Sequence, residues 1–195
     1  MCGACLIAPP VYERSVAAVD YGYPWDSLIT RFKFHAALDL APALAQRLAQ
    51  ALSDDADHAG HADHSTHGPT PPTLLLPVPL SAARLRERGY NQAWELTRHL
   101  GRLRQCPIDA RLLLRVRDTA HQLALPPVQR AGNVRGAFAI EPARRAELQQ
   151  RSVALIDDVM TTGATVAEIT RVLLQAGAAQ VHVWTVARTP RPGQA

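Results

Sequence analysis

Two adjacent carboxylates, Asp157 and Asp158, stand at the end of an unbroken apolar run. After two more apolar residues come Thr161, Thr162, Gly163, Ala164 and Thr165. A small, hydroxyl-rich turn at the start of a helix gathers backbone N–H groups and three threonine hydroxyls at one point, where the macrodipole adds roughly half a positive charge. Such a point suits a phosphate. The two acids would repel one, so they suit sugar hydroxyls, or a magnesium ion that keeps some of its waters. Phosphate in the turn and hydroxyls at the acids describe a ribose 5-phosphate. The same residues also fit an ordinary strand-turn-helix corner with an aspartate pair at its surface. The turn has no Gly-Lys-Ser/Thr, and no Gly-x-Gly-x-x-Gly follows a strand, so neither a Walker-type nor a Rossmann dinucleotide site is indicated.

The sequence on either side of this stretch divides into strands and helices. Residues 153–156 are apolar without alternation, as in a strand covered on both faces of a parallel sheet, and the two carboxylates are read as ending it. Val166, Ile169, Val172 and Leu173 have helical spacing before Gly177 closes the helix. A strand over 181–187 then completes a β-α-β unit, right-handed by the general rule. Upstream, 73–80 reads as a second buried strand whose Pro77 and Pro79 put its end at a loop or edge. A basic turn with Arg84, Arg86 and Arg88 follows, then a helix over 91–104. Guanidinium groups bind phosphate oxygens in a planar fork, so this cluster suits a pyrophosphate, although a solvated basic turn has the same composition. Before these lie a weak strand over 16–23, a helix over 24–34 with Trp25, Leu28, Ile29, Phe32 and Phe34, and a second helix over 38–52.

A chain of 195 residues with 47% apolar content allows one α/β domain with a proper core, spanning 13–190, ahead of a short tail over 191–195. The absence of an eighteen-residue apolar run or a signal-type apolar core reads as a cytoplasmic protein with no membrane insertion. Net charge is +4, and Lys33 is the only lysine. Between Arg84 and Arg135 eleven arginines face four acids, a local net of 11 − 4 = +7. Such a segment attracts phosphates, whether on a small substrate or on a nucleic acid, while genomic base composition equally explains arginine in place of lysine.

Three stretches fall outside this scheme. Cys2 and Cys5 have the spacing of half a zinc site, and two thiolates leave half of a tetrahedral shell to water, so no stable zinc is expected on the 1–12 stub alone. Residues 53–72 are rich in Asp, His, Gly, Ser, Thr and Pro and read as a mobile insertion loop. His58, His61, His64 and His67 recur there at every third residue and could chelate a metal only if the loop were ordered. Residues 106–136 lack a clean period and read as an excursion over a site, a lid more than a core element.

The apolar strand, Asp157-Asp158 and the 161–165 turn resemble the phosphoribosyl pyrophosphate motif of type I phosphoribosyltransferases, in the form typical of the ComF competence-protein branch. Three further stretches are similar to that family in the same order: Leu28-Ile29-x-x-Phe32-Lys33-Phe34; Arg86-x-Arg88-Gly89-Tyr90-Asn91-Gln92-Ala93; and Arg117-x-Thr119-x-x-Gln122 with Asn133-x-x-Gly136-Ala137-Phe138. The resemblance runs over about 16–188. It implies a type I phosphoribosyltransferase-like, mainly parallel sheet flanked by helices, and a remnant of an N-terminal zinc ribbon at Cys2 and Cys5, either decayed or cut by a late start. It implies that Asp157 and Asp158 are catalytic and hold ribose hydroxyls, that the 161–165 turn holds the 5-phosphate, and that magnesium accompanies the pyrophosphate. Ser81, Arg84, Arg88, Arg117, Thr119 and Gln122 fall to the pyrophosphate loop and hood. Some type I enzymes place a catalytic lysine in the hood, and this region has none. Implied partners are phosphoribosyl pyrophosphate or a related sugar phosphate, an unknown acceptor and a second copy in a homodimer. The alternative it implies is a different class of function, DNA uptake as a non-catalytic factor that binds single-stranded DNA or a competence helicase.

Overall fold

Strands β1 (Arg14–Asp20), β2 (Leu74–Pro77), β5 (Ser152–Met160) and β6 (Gln180–Arg188) form one parallel sheet in the order β1-β6-β5-β2. The short β3 (Leu113–Arg115) and β4 (Phe138–Ile140) pair antiparallel beside it. This is a computed structural model, and it describes residues 9–62, 70–117 and 134–190. Its helices are α1 (Trp25–Phe34), α2 (Ala41–Ala62), α3 (Ala82–Arg88), α4 (Gln92–Arg104) and α5 (Ala164–Gln175). Among the described residues no helix is long and apolar enough to cross a membrane.

Both faces of the sheet are covered, which is why its central strands read as continuous apolar runs. On one face Leu74, Leu76, Val153, Leu155, Val181 and Val183 pack with Val166, Ile169 and Leu173 of α5 and with Leu113 and Phe138 of the antiparallel pair. On the other, Val16, Ala18, Leu75, Ala154, Ile156 and Val186 meet Ile29 and Phe32 of α1, Leu44 and Leu48 of α2, and Leu96 and Leu100 of α4. The architecture is the expected mainly parallel α/β sheet flanked by helices.

Four boundaries differ from the sequence reading. β5 does not stop at the carboxylates: it runs through both to Met160, because Asp157 and Val159 stay in register with Thr185 and Ala187 of β6, and a full parallel ladder outweighs the low strand propensity of aspartate. The second helix starts with a 3-10 turn, Leu38–Leu40, and then continues ten residues past its expected end at 52, so 53–62 is helix and not loop. Side chains on that extension are anchored: Arg14 donates to the Asp55 carboxylate at 2.7 Å, Gln50 to Asp54 at 2.8 Å, and Arg104 to Ser53 Oγ at 3.3 Å. His58 and His61 therefore lie on α2, while His64 and His67 lie outside the described residues. The basic turn is a helix, α3, with Ser81 as N-cap and Gly89 as left-handed C-cap at φ 81°. Finally, the described flanks of the 106–136 stretch contribute to the core through buried Leu112, Leu113 and Val134, with Leu113 in β3, where three residues leave no period to detect, while 118–133, on which most of the lid expectation falls, lies outside the described residues.

Candidate functional site

The C-terminal ends of all four parallel strands open into one cleft of about 270 Å³, lined by the residues that follow them: Tyr21 after β1, Val78 to Leu80 after β2, Thr161 and Thr162 after β5, and Thr189 after β6. Open α/β sheets collect ligands at this end because the strands stop and the helices start there. Asp157, Asp158, Thr161, Thr162, Gly163, Ala164 and Thr165 all line the cleft, as do Arg84 and Arg88. The structure thus brings together the acids, the hydroxyl-rich turn and two arginines of the cluster, although Arg88 and Asp157 stand 157 − 88 = 69 positions apart in sequence.

The turn has the conformation its composition calls for. Gly163 precedes α5 with φ 77°, a left-handed backbone that disfavours any residue with a Cβ. Thr162 Oγ1 accepts from the Ala164 N–H at 3.4 Å, and the first-turn amides of α5 point out of the helix at the cleft wall.

By strand alternation Asp158 shares the sheet face of Ala154 and Ile156, and it is 3% exposed. Its Oδ1 accepts from Lys33 Nζ at 2.9 Å and from the Val159 N–H at 2.6 Å, while its Oδ2 has no hydrogen-bond donor among the described residues. An orphaned buried acceptor costs about 1–3 kcal/mol, and more when charged, so this oxygen favours any ligand that brings a donor. Burial alone would lower the Lys33 ammonium; the Asp158 carboxylate overcomes that and leaves it raised. Asp157 Oδ1 accepts from the Asp158 N–H at 2.9 Å. Burial, reinforced by the neighbouring Asp158 charge, pushes the Asp157 carboxyl up to about 7.

The Arg-Gly-Tyr-Asn-Gln stretch acts as a frame around the arginines. Arg88 donates to Gln92 Oε1 at 2.5 Å and lies 5.0 Å over the Phe34 ring. The Tyr90 hydroxyl donates to the Phe32 carbonyl, tying α3 to the end of α1. Asn91 caps α4 by accepting from Ala93 N–H at 2.9 Å, and its amide donates to Val78 O at 3.1 Å, fixing the end of β2. Across the cleft, Gly136 N–H donates to Glu168 of α5 at 2.8 Å, and Arg115 lies 5.5 Å over buried Phe138, so the antiparallel pair is tied to the helix that carries the turn.

Not every expected residue lines the cleft. Ser81 is buried as the α3 cap, accepting from Arg84 N–H at 3.3 Å, and supports the cluster from beneath. Arg117 donates to the Arg135 carbonyl at 2.5 Å on an exposed edge. Thr119, Gln122, Cys2 and Cys5 lie outside the described residues. Sequence reasoning did not assign Lys33, Phe34, Gln92 or Arg115 to the site, although all four line it. The available signal for Lys33 was its singularity among arginines; the helix that carries it lies far from the motif in sequence.

Among the described residues no group of three His, Cys, Asp or Glu side chains could hold a metal ion alone. Two adjacent carboxylates do fit magnesium in its usual substrate-bridging mode, in which one or two carboxylates hold an ion whose remaining ligands are substrate phosphates and waters.

The chain is 38% identical over 188 residues to DNA utilization protein YhgH of Shigella flexneri, covering 96% of this chain and 78% of that protein. It is 35% identical over 187 residues to competence protein F of Haemophilus influenzae, with the same coverage. No family model matches. Among solved structures, glutamine phosphoribosylpyrophosphate amidotransferase from B. subtilis is similar over 81% of this chain and 30% of that one, at 18% identity and TM-score 0.45. A Trypanosoma cruzi hypoxanthine phosphoribosyl transferase is similar over 79% and 76%, at 12% identity and TM-score 0.43.

Proposed function

The chain belongs to the competence protein F (ComF) family, and from that premise we propose that its strand-end cleft binds phosphoribosyl pyrophosphate together with magnesium and supports transfer of the phosphoribosyl group to an acceptor. The observation that carries this reading is the meeting of three recognition elements in one cleft: a phosphate turn at a helix start, a buried acid with an orphaned oxygen, and a framed pair of arginines. Their chemistry matches the three parts of the molecule. Amides and hydroxyls of the 161–165 turn hold the 5-phosphate, Asp158 Oδ2 and Asp157 accept from ribose hydroxyls, and Arg84 and Arg88 hold the pyrophosphate.

In transfer, the acceptor forms a bond to the anomeric carbon while the bond from that carbon to the pyrophosphate oxygen breaks, and pyrophosphate leaves with the electron pair. Bound magnesium would neutralise charge building on that leaving group. The chain's own part is positional and electrostatic. Arg84 and Arg88 receive the departing charge, the turn anchors the far end of the sugar, and the carboxylates face the cationic sugar ring that develops between them.

A second reading follows from the relatives' names, which speak of DNA utilization and competence. In it the cleft is retained for binding only, and the arginine-rich 84–135 segment meets single-stranded DNA or a helicase. Pyrophosphate release from phosphoribosyl pyrophosphate with magnesium, across a panel of bases, separates the two. Release with at least one base is expected for the first reading. No release, together with single-strand binding whose logarithmic salt slope loses about 0.7 per phosphate contact on Arg-to-Ala change at 84, 86 and 88, would replace it with the second.

A further inference from the structure

Lys33 stands apart from every other cation in the chain. Lysine and arginine together number 21, and removing this one lysine leaves 21 − 1 = 20 arginines. It arrives at the acids from α1, with its side chain 22% exposed, and it contacts Asp158 through Oδ1 alone. The Val159 N–H takes the same oxygen, so both donors converge on Oδ1 and Oδ2 is left with none among the described residues. An ammonium is a point charge that satisfies one oxygen, whereas a guanidinium presents parallel donors that take both oxygens of a carboxylate. The lysine therefore neutralises a buried acid without consuming its second oxygen.

Resting on the proposed sugar-phosphate reading, we propose that Lys33 is a positioning residue for sugar recognition: it pins Asp158 by Oδ1 so that Oδ2, buried at the cleft wall, is left without a protein donor and accepts from a ribose hydroxyl when the sugar seats against it. The role is indirect, through Asp158. It makes Lys33→Arg, which keeps the charge and the ion pair, a deleterious change for sugar recognition while sparing the phosphate turn, which lies at the start of a different helix.

The test is calorimetric titration of wild type and Lys33→Arg with ribose 5-phosphate, its 2-deoxy and 3-deoxy analogues, and inorganic phosphate. Wild type is expected to prefer ribose 5-phosphate over at least one deoxy analogue by roughly tenfold or more, the range of one charge-assisted hydrogen bond. In Lys33→Arg that preference is expected to fall below about twofold, with inorganic phosphate binding unchanged. A variant that keeps the full preference overturns the inference and leaves the proposed function standing. A wild type with no preference, or with no binding, overturns both. A second comparison, Asp158→Asn against Asp158→Asn with Lys33→Met, avoids an unpaired buried carboxylate. Equal affinities are expected, and a further loss in the double variant would mean that Lys33 touches the ligand itself, which overturns the positioning role.

Discussion

At the scale of single residues, the site is governed by how two neighbouring carboxylates are made different. Asp158 is buried and paired with Lys33, whereas at Asp157 burial and the like charge beside it outweigh the more distant Lys33, and no ion pair reaches it among the described residues. The consequence is a stability that depends on pH with a definite sign. Because the folded carboxyl of Asp157 lies near 7 and its ordinary value is 3.8, the folded protein holds more protons than the unfolded chain between those values. Stability from this group is therefore present below about pH 4 and is lost as pH rises through 7. Asp157→Asn, which cannot ionise, should melt higher than wild type at pH 8, by on the order of 1–3 kcal/mol, and no higher at pH 4. Melts across that range check it, and an equal gain at both ends would mean that Asp157 is not protonated in the fold. The acids and the Thr turn were readable because they are contiguous and chemically unusual together. Lys33 was not, because an ion pair across 125 residues (158 − 33) leaves no spacing to read.

At the scale of elements, two glycines separate the site from its scaffold. Gly163 sits at φ 77° immediately before α5, so Gly163→Ala should cost about 1 kcal/mol of stability and also weaken phosphate binding by shifting the amides of the turn. Gly101 is on α4, where a Cβ would stand 2.3 Å from Ile108 Cγ2 and 3.1 Å from the Cys106 carbonyl. Gly101→Ala should cost about 1–3 kcal/mol by overpacking, with phosphate affinity retained in the folded fraction. Denaturant melts beside phosphate titrations check both, and a Gly163 variant with unchanged affinity would remove the turn from the phosphate site. The long elements α1, α4, α5 and the buried strands were legible from apolar period. α3 was not, since seven residues with three arginines look like a turn until the Ser81 and Gly89 caps are placed. The extension of α2 was hidden by its polar composition, which its anchors to Arg14 and Arg104 offset.

At the scale of the whole molecule, four parallel strands ending at one rim bring the 161–165 turn, the acids and the arginine helix within one cleft, and a sheet buried on both faces holds them there. The buried strands β2 and β5 and the parallel β5-α5-β6 unit were legible from unbroken apolar runs and helical spacing; the strand order and the register that sets the depth of each acid were not, because pairing partners lie far apart in sequence. The central claim is that this rim reads a sugar flanked by phosphates, and calorimetric titration with phosphoribosyl pyrophosphate and magnesium tests it most directly, on wild type and on Asp157→Asn with Asp158→Asn, beside a thermal melt. Two charge-assisted contacts of about 1.5–3 kcal/mol are at stake, so losing even one predicts roughly tenfold to a hundredfold weaker binding in a variant that remains folded. Equal affinity in the two proteins, or no binding in wild type, would contradict it.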